Sequence, residues 1–289
     1  MRRFAGALCV ALLAPGSLAA QSPESPEACG ALVETLGAQA LPELILEAPD
    51  FRLEEGVCVA EDLFALFDNM RLTAEAMRFR YEGPLEFSAT RYADLVEIEL
   101  TGLRFAVRTG FSPDMDYVFA AQARAREGID ALLSVSYDAG RVTLDPLRID
   151  FPGENAIEAR LAMTDLSDDP LQALDGRLER LELSILSNGL FEEFALFPLA
   201  TMLLTDQDDP EAEVARLKDE GRAALASLPL TPQTVAALEA LIHDLPNPAG
   251  TLSLILAPEG GVAIRDVITP FGPGEGFLTG LEARYEPAE

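Results

Sequence analysis

The stretch LVEIELTGLRFAVRT, residues 95–109, decides the fold class. Its apolar residues alternate with polar ones through Val96, Ile98 and Leu100, change phase after Gly102, and resume at Leu103, Phe105 and Val107. Period-two alternation is the mark of a strand with one face buried and the other in water. The slip predicts a bulge or tight bend at Gly102, because one extra residue reverses the face that later side chains occupy. Upstream, AMRFRYEG (76–83) sets Met77, Phe79 and Tyr81 between Arg78, Arg80 and Glu82, and LEFSA extends the pattern through Leu85, Phe87 and Ala89. Downstream, Leu133, Val135 and Tyr137 make a strand that turns at Asp138-Ala139-Gly140 into Val142 and Leu144, then Leu147, Ile149 and Phe151 after Pro146. Ile157, Ala159, Leu161 and Met163 form the next strand, and Leu181, Leu183 and Ile185 the one after. Short one-sided strands joined by turn signals predict an antiparallel meander rather than a parallel α/β sheet.

The period changes near Asn188. GLFEEFALFPLATMLL places Leu190, Phe191, Phe194 and Phe197 at helical spacing, with Pro198 as a kink or break. DPEAEVARLKDEGRAALASL reads as an amphipathic helix with acids in its first turn. Thr231-Pro232 caps a further helix, TPQTVAALEALIHDL, which Pro246 and Pro248 close. TLSLILA and VAIRDVI, joined by Pro258-Glu259-Gly260-Gly261, read as a closing hairpin, and FLTGLEARY as an edge strand in a Gly- and Pro-rich tail. The expected fold is α+β, a large curved antiparallel β-meander with a C-terminal helical segment packed on it. The expected division is a signal peptide over 1–20, a disulfide-linked segment over 21–69, the sheet over 70–187, helices over 188–246, and hairpin plus tail over 247–289, with 70–289 forming one domain.

The first twenty residues, MRRFAGALCVALLAPGSLAA, carry a basic start at Arg2-Arg3, an apolar run from Phe4 to Leu13, a break at Pro15-Gly16 and a small-x-small site at Ser17-Leu18-Ala19. That order is an export signal cleaved near Ala19 or Ala20, and the apolar run is too short to span a bilayer. The expected address is therefore periplasmic, with no transmembrane anchor after cleavage. Two cysteines then remain, Cys29 and Cys58. In an oxidising compartment an isolated pair is most simply a disulfide, closing GALVETLGAQAL as a helix and LILEAPDFRL as extended chain into one loop.

Formal net charge is −28, and the export segment holds two Arg and no acid, so the mature value is −30. Such a surface repels nucleic acid and anionic lipid head groups. Hydrophobic residues at 49% exclude a disordered chain.

Catalytic motifs are sparse. His243 is the single histidine, so any triad or multi-histidine metal site must include it; its place at a helix end before Asp244 and Pro246 suits contact with terminal carbonyls instead. No G-x-S-x-G occurs, and Ala215 stands three residues before Lys218 where a serine would be needed. GPGEGF (272–277) lacks the third glycine and following helix of a dinucleotide fingerprint. The acidic run Asp206, Asp208, Asp209, Glu211 and Glu213 has Pro210 where a calcium loop needs a ligand, and reads as a solvated helix start. No catalytic residue, metal site or cofactor is predicted.

Three roles follow. One is a periplasmic protein that binds a lipid-like or apolar ligand in envelope biogenesis, with Phe191, Phe194 and Phe197 as candidate ligand or partner surface. The second is an envelope assembly factor with the same fold and no cavity. The third is a hydrolase of unrecognised type. The succession VEIELTGLRFAVRTG, LLSVSYDAGRVTLDPLRIDF, a helical insertion, then GTLSLILAPEGGVAIRDV resembles, in strand rhythm, the AsmA-like and related uncharacterised envelope proteins of alphaproteobacteria. This resemblance implies an envelope role connected with outer-membrane lipids and assigns no site residue.

Overall fold

A computed structural model describes residues 22–40, 44–47, 50–67, 69–83, 93–107, 112–166, 176–204, 209–268, 278 and 280–288. The expected export signal, Leu85 to Ala89, Asp206, Asp208 and Gly272 to Phe277 lie outside the described residues. The fold is α+β, built on antiparallel meander with helices in its C-terminal part. Contacts divide the chain into two compact units, one of residues 1–152 and 165–176, the other of 153–164 and 177–289.

Unit one holds α1 (Pro26–Ala40), β1 (Leu44–Glu47), β2 (Arg52–Glu54), β3 (Val57–Phe67), β4 (Met70–Glu82), β5 (Leu95–Val107), α2 (Pro113–Ala125), β6 (Ile129–Asp138) and β7 (Arg141–Phe151). Its strands lie in the order β1-β3-β4-β5-β6-β7, with β2 also on β3. Helix α1 and β3 are tied by the Cys29–Cys58 disulfide, whose Cα atoms are 5.7 Å apart. Around it Leu32, Phe51, Ala60, Met77, Phe79, Tyr81 and Val96 form a buried cluster. Burial, reinforced by the charge of Asp94, pushes the Tyr81 phenol well above its ordinary pKa.

The phase slip at Gly102 is shared by three strands. Core positions step from Ala60 to Leu63, from Met77 to Ala74 and from Leu100 to Leu103, and all six pack in the same cluster. Pairing stays in step across the slip, since Glu61↔Ala76 is followed by Leu63↔Ala74, and Ala76↔Thr101 by Thr73↔Arg104. Asp62 and Gly102 take left-handed backbone at φ 55 and φ 65. The expected bulge falls on the β5–β6 side, where register shifts between Leu100 and Leu103. The Gly102 N–H donates to Asp130 Oδ1 at 2.8 Å. A Cβ on Gly128 would come within 2.4 Å of the Gly102 Cα, so both positions require glycine for close backbone approach.

Helix α2 has no counterpart in the sequence reading. Its start is nonetheless conventional: Ser112 accepts from the Met115 N–H at 3.2 Å, Pro113 follows, and Asp114 and Asp116 occupy the first turn.

Unit two holds β8 (Asn155–Thr164), β9 (Arg177–Ser187), a π turn (Phe191–Ala195), α3 (Leu196–Leu203), α4 (Pro210–Ala226), α5 (Pro232–Asp244), β10 (Gly250–Leu256), β11 (Val262–Ala263), α6 (Ile264–Ile268) and β12 (Leu281–Pro287). Its strands run β8-β9-β10-β12, with β11 also on β9. The closing hairpin expected within 247–289 is not formed as read. β10 pairs with β9 and β12, β11 spans only two residues and pairs with β9, and Ile264–Ile268 is helical. Period two in seven residues cannot distinguish these partners, which tertiary packing chooses. Pro198 does not break the chain either. The helix widens ahead of it, the Leu196 N–H reaching back to the Phe191 carbonyl, and α3 runs through Pro198. Such a widened turn accommodates a proline within a helical run, whose missing N–H and bulky ring would otherwise fall against the carbonyl four residues back.

The C-terminal helices pack on the sheet through α5. Thr234 is buried, and its hydroxyl donates to the Leu281 carbonyl at 3.2 Å and accepts the Ala283 N–H at 3.3 Å, fastening α5 to β12. Helix α4 packs on α5 and has no buried residue of its own. Among the described residues, no helix is long and apolar enough to cross a membrane.

Candidate functional site

The slip that keeps the core continuous also shapes the opposite side of β3–β5. Beyond it, facing residues form two rows across the strands, Phe64–Thr73–Arg104 and Leu66–Arg71–Ala106. With α2 beside them they line a cleft of about 470 Å³, whose apolar wall includes Phe64, Ala120 and Ala123. Arg71, Arg104 and Arg124 enter it against two acids, Asp62 and Glu75. That local excess of positive charge runs against a chain with 49 acidic and 21 basic residues.

The three guanidiniums have different duties. Arg104 is engaged through Nε and Nη1: it donates to the Arg126 carbonyl at 3.0 Å and the Gly102 carbonyl at 3.0 Å, and pairs with Glu75 at 2.8 Å. It therefore ties the bend in β5 to the chain leaving α2. Arg71 lies over the Phe64 ring at 4.6 Å from its centroid, a cation–π contact that fixes the plane of the guanidinium. Its Nε is buried and has no hydrogen-bond partner. Leaving a buried donor unmet costs roughly 1–3 kcal/mol, more for a charged group. The other such orphans among the described residues, Ser187 Oγ and Glu192 Oε2, are not cationic. Arg124, in the last turn of α2, is exposed and has no ion-pair partner among the described residues.

Elsewhere arginines find carboxylates. Arg52 meets Glu61 at 2.6 Å, Arg148 meets Asp150 at 2.8 Å, and Arg216 meets Glu213 at 2.5 Å. A smaller hollow of about 150 Å³ on β8–β10 shows the same habit, for its Arg160 pairs with Glu158 at 2.6 Å. Among the described residues Arg124, Arg126 and Arg284 also lack a carboxylate, so what sets Arg71 apart is its buried, partnerless Nε.

The residues singled out from sequence lie elsewhere. Phe191 and Phe194 are half-buried in the π turn of unit two, and neither lines the cleft; the Phe197 side chain is outside the described residues. His243 is exposed, its Nδ1 3.1 Å from Asp244 Oδ1. The helix-end carbonyl at that position accepts instead from Lys218 Nζ, at 2.8 Å. Tyr285 completes this group by donating to Asp244 Oδ2 at 2.9 Å and to the Ala249 carbonyl at 3.0 Å. Hydrogen bonds from His243 and then Tyr285 hold the Asp244 carboxyl below its usual pKa, while burial and Asp244 push Tyr285 up to about 12. The group clamps α5 to β12. Asp209 caps α4 by accepting the Ala212 N–H at 3.0 Å, which accounts for one acid of the Asp206–Glu213 run. Among the described residues no three metal-ligating side chains gather.

No family model matches the chain, and no curated protein matches it. The site must therefore be read from its own chemistry. The sequence pattern missed the cleft because Arg71 and Arg104 sit where outward charge is ordinary on a one-sided strand. The signal that could have found it was the Ser112-Pro113-Asp114 start of α2, which announces a helix beside those strands.

Proposed function

We propose that this chain is an exported, non-enzymatic protein of the periplasm that binds a lipid-like ligand in envelope biogenesis. The observation that carries this reading is the cleft of about 470 Å³ between α2 and β3–β5. Its volume falls in the range of small-ligand pockets, about 300–1,000 Å³, and its lining mixes aromatic and small apolar side chains with a few polar groups. The export pattern of residues 1–20 and the Cys29–Cys58 disulfide support an oxidising address. Protein purified from its own periplasm, examined by native mass spectrometry and lipid extraction, should carry a lipid-sized adduct in stoichiometric amount.

A second reading, an envelope assembly factor, has one observation in its favour. Met115, Tyr117 and Val118 on α2, and Met202 and Leu203 on α3, are apolar and exposed. Large exposed apolar patches mark contact surfaces. In the same experiment, adduct-free protein that co-purifies with a stoichiometric partner would replace the ligand reading with this one.

A further inference from the structure

We infer that Arg71 and Arg124 hold an anionic head group, a carboxylate or phosphate monoester, while Phe64, Ala120 and Ala123 receive the first carbons of an attached aliphatic chain. This deepens the ligand-binding reading and rests on it. Among the described residues Arg71 has no carboxylate partner, in a chain where acids outnumber bases more than twofold. Its plane is held by Phe64, and its side chain lines the cleft. A fixed guanidinium edge suits the paired oxygens of a carboxylate or phosphate. Arg104 is spent on Glu75 and two carbonyls, so it positions the bend rather than the ligand. Arg124 supplies a second positive charge from the α2 wall. Apolar side chains beside these cations select an amphiphile over a bare anion, and the surrounding acidic surface keeps polyanions away.

Titration calorimetry with decanoate, decyl phosphate, 1-decanol and inorganic phosphate tests the assignment. Decanoate and decyl phosphate should bind the unaltered protein at least about tenfold more tightly than 1-decanol or inorganic phosphate, since a charge-assisted bond is worth that much. Arg71→Gln should weaken decanoate about tenfold and Arg124→Gln several-fold, with 1-decanol unaffected by either. Arg71→Lys keeps the charge without the fork and should fall between. Arg124 is exposed, so Arg124→Gln keeps the test valid if Arg71→Gln fails to fold. Equal binding of decanoate and 1-decanol, or an Arg124→Gln protein that binds decanoate normally, would overturn the head-group assignment and leave the lipid reading standing. Inorganic phosphate binding as tightly as decyl phosphate would overturn the aliphatic part. Failure of every aliphatic probe would overturn both this assignment and the ligand reading beneath it.

Discussion

Strands β3–β5 and strands β8–β10 share one sequence rhythm and end in different states. In the first group Phe79, Tyr81 and Val96 are at most 2% exposed, whereas in the second Leu178 and Leu256 are buried near strand ends but Leu181, Leu183, Ile185, Leu252 and Leu254 between them remain half-buried. Alternation specifies that a face is apolar, not that something covers it. In unit one α1 lies on β1 and β2 and is bound to β3 by the disulfide, so the face closes. In unit two α5 packs at β12 and α4 packs on α5, leaving the apolar residues of β9 less sheltered. The clefts follow the same contrast: the larger, whose Arg71 has no ion-pair partner among the described residues, stands in unit one, while the smaller hollow on β8–β10 has its arginine neutralised by glutamate.

The sharpest way to break this comparison is a pair of truncations. Phe79→Ala should destabilise by about 3–5 kcal/mol, the cost of emptying an aromatic site in a closed core. Leu183→Ala should cost about 1 kcal/mol, because a half-exposed leucine forfeits only part of its transfer energy. Urea unfolding of both variants checks this, and equal losses would erase the distinction. Next, Cys29→Ser with Cys58→Ser should cost about 3–4 kcal/mol on the loop-entropy estimate. Hydrogen exchange should then rise in α1 and β3–β5 and stay unchanged in β8–β10. Gly128→Ala follows, at about 2 kcal/mol or more, since the new methyl has only the Gly102 backbone to displace. It should also weaken decanoate binding by moving Arg104 and the cleft floor.

The smallest expected effect is acidic loosening of α5. The Asp244 carboxyl titrates below its unfolded value, so its contribution is present above about pH 4 and is lost as pH falls through the lower folded value. Exchange in Pro232–Asp244 should accelerate below that pH, and Tyr285→Phe should remove part of the dependence by breaking the bond to Asp244, the larger share resting on His243.

Legibility in the sequence divides along physical lines. Local signals carried through: the period-two strands, the Thr231 cap before Pro232, the slip at Gly102 and the cysteine pair each depend on neighbours in sequence or on a short list of candidates. Pairing of β10 with β9 and β12 did not carry through, because seven alternating residues fit any edge. The cleft was hidden for a related reason. Phe64, Arg71, Arg104 and Arg124 come from four elements, and what distinguishes Arg71 from Arg78 or Arg80 is the absence of a carboxylate across the strand. Arg78 faces Glu99 and Arg80 faces Glu97, but Arg71 faces Ala106.

Hydrogen-exchange mass spectrometry of the mature protein with and without saturating decanoate tests the central claim most directly. The account predicts added protection in α2 (Pro113–Ala125) and in β3–β5, and none in Phe191–Leu203 or β8–β10. Protection confined to the segment around Phe191 and Phe194, or spread over β8–β10, would contradict it.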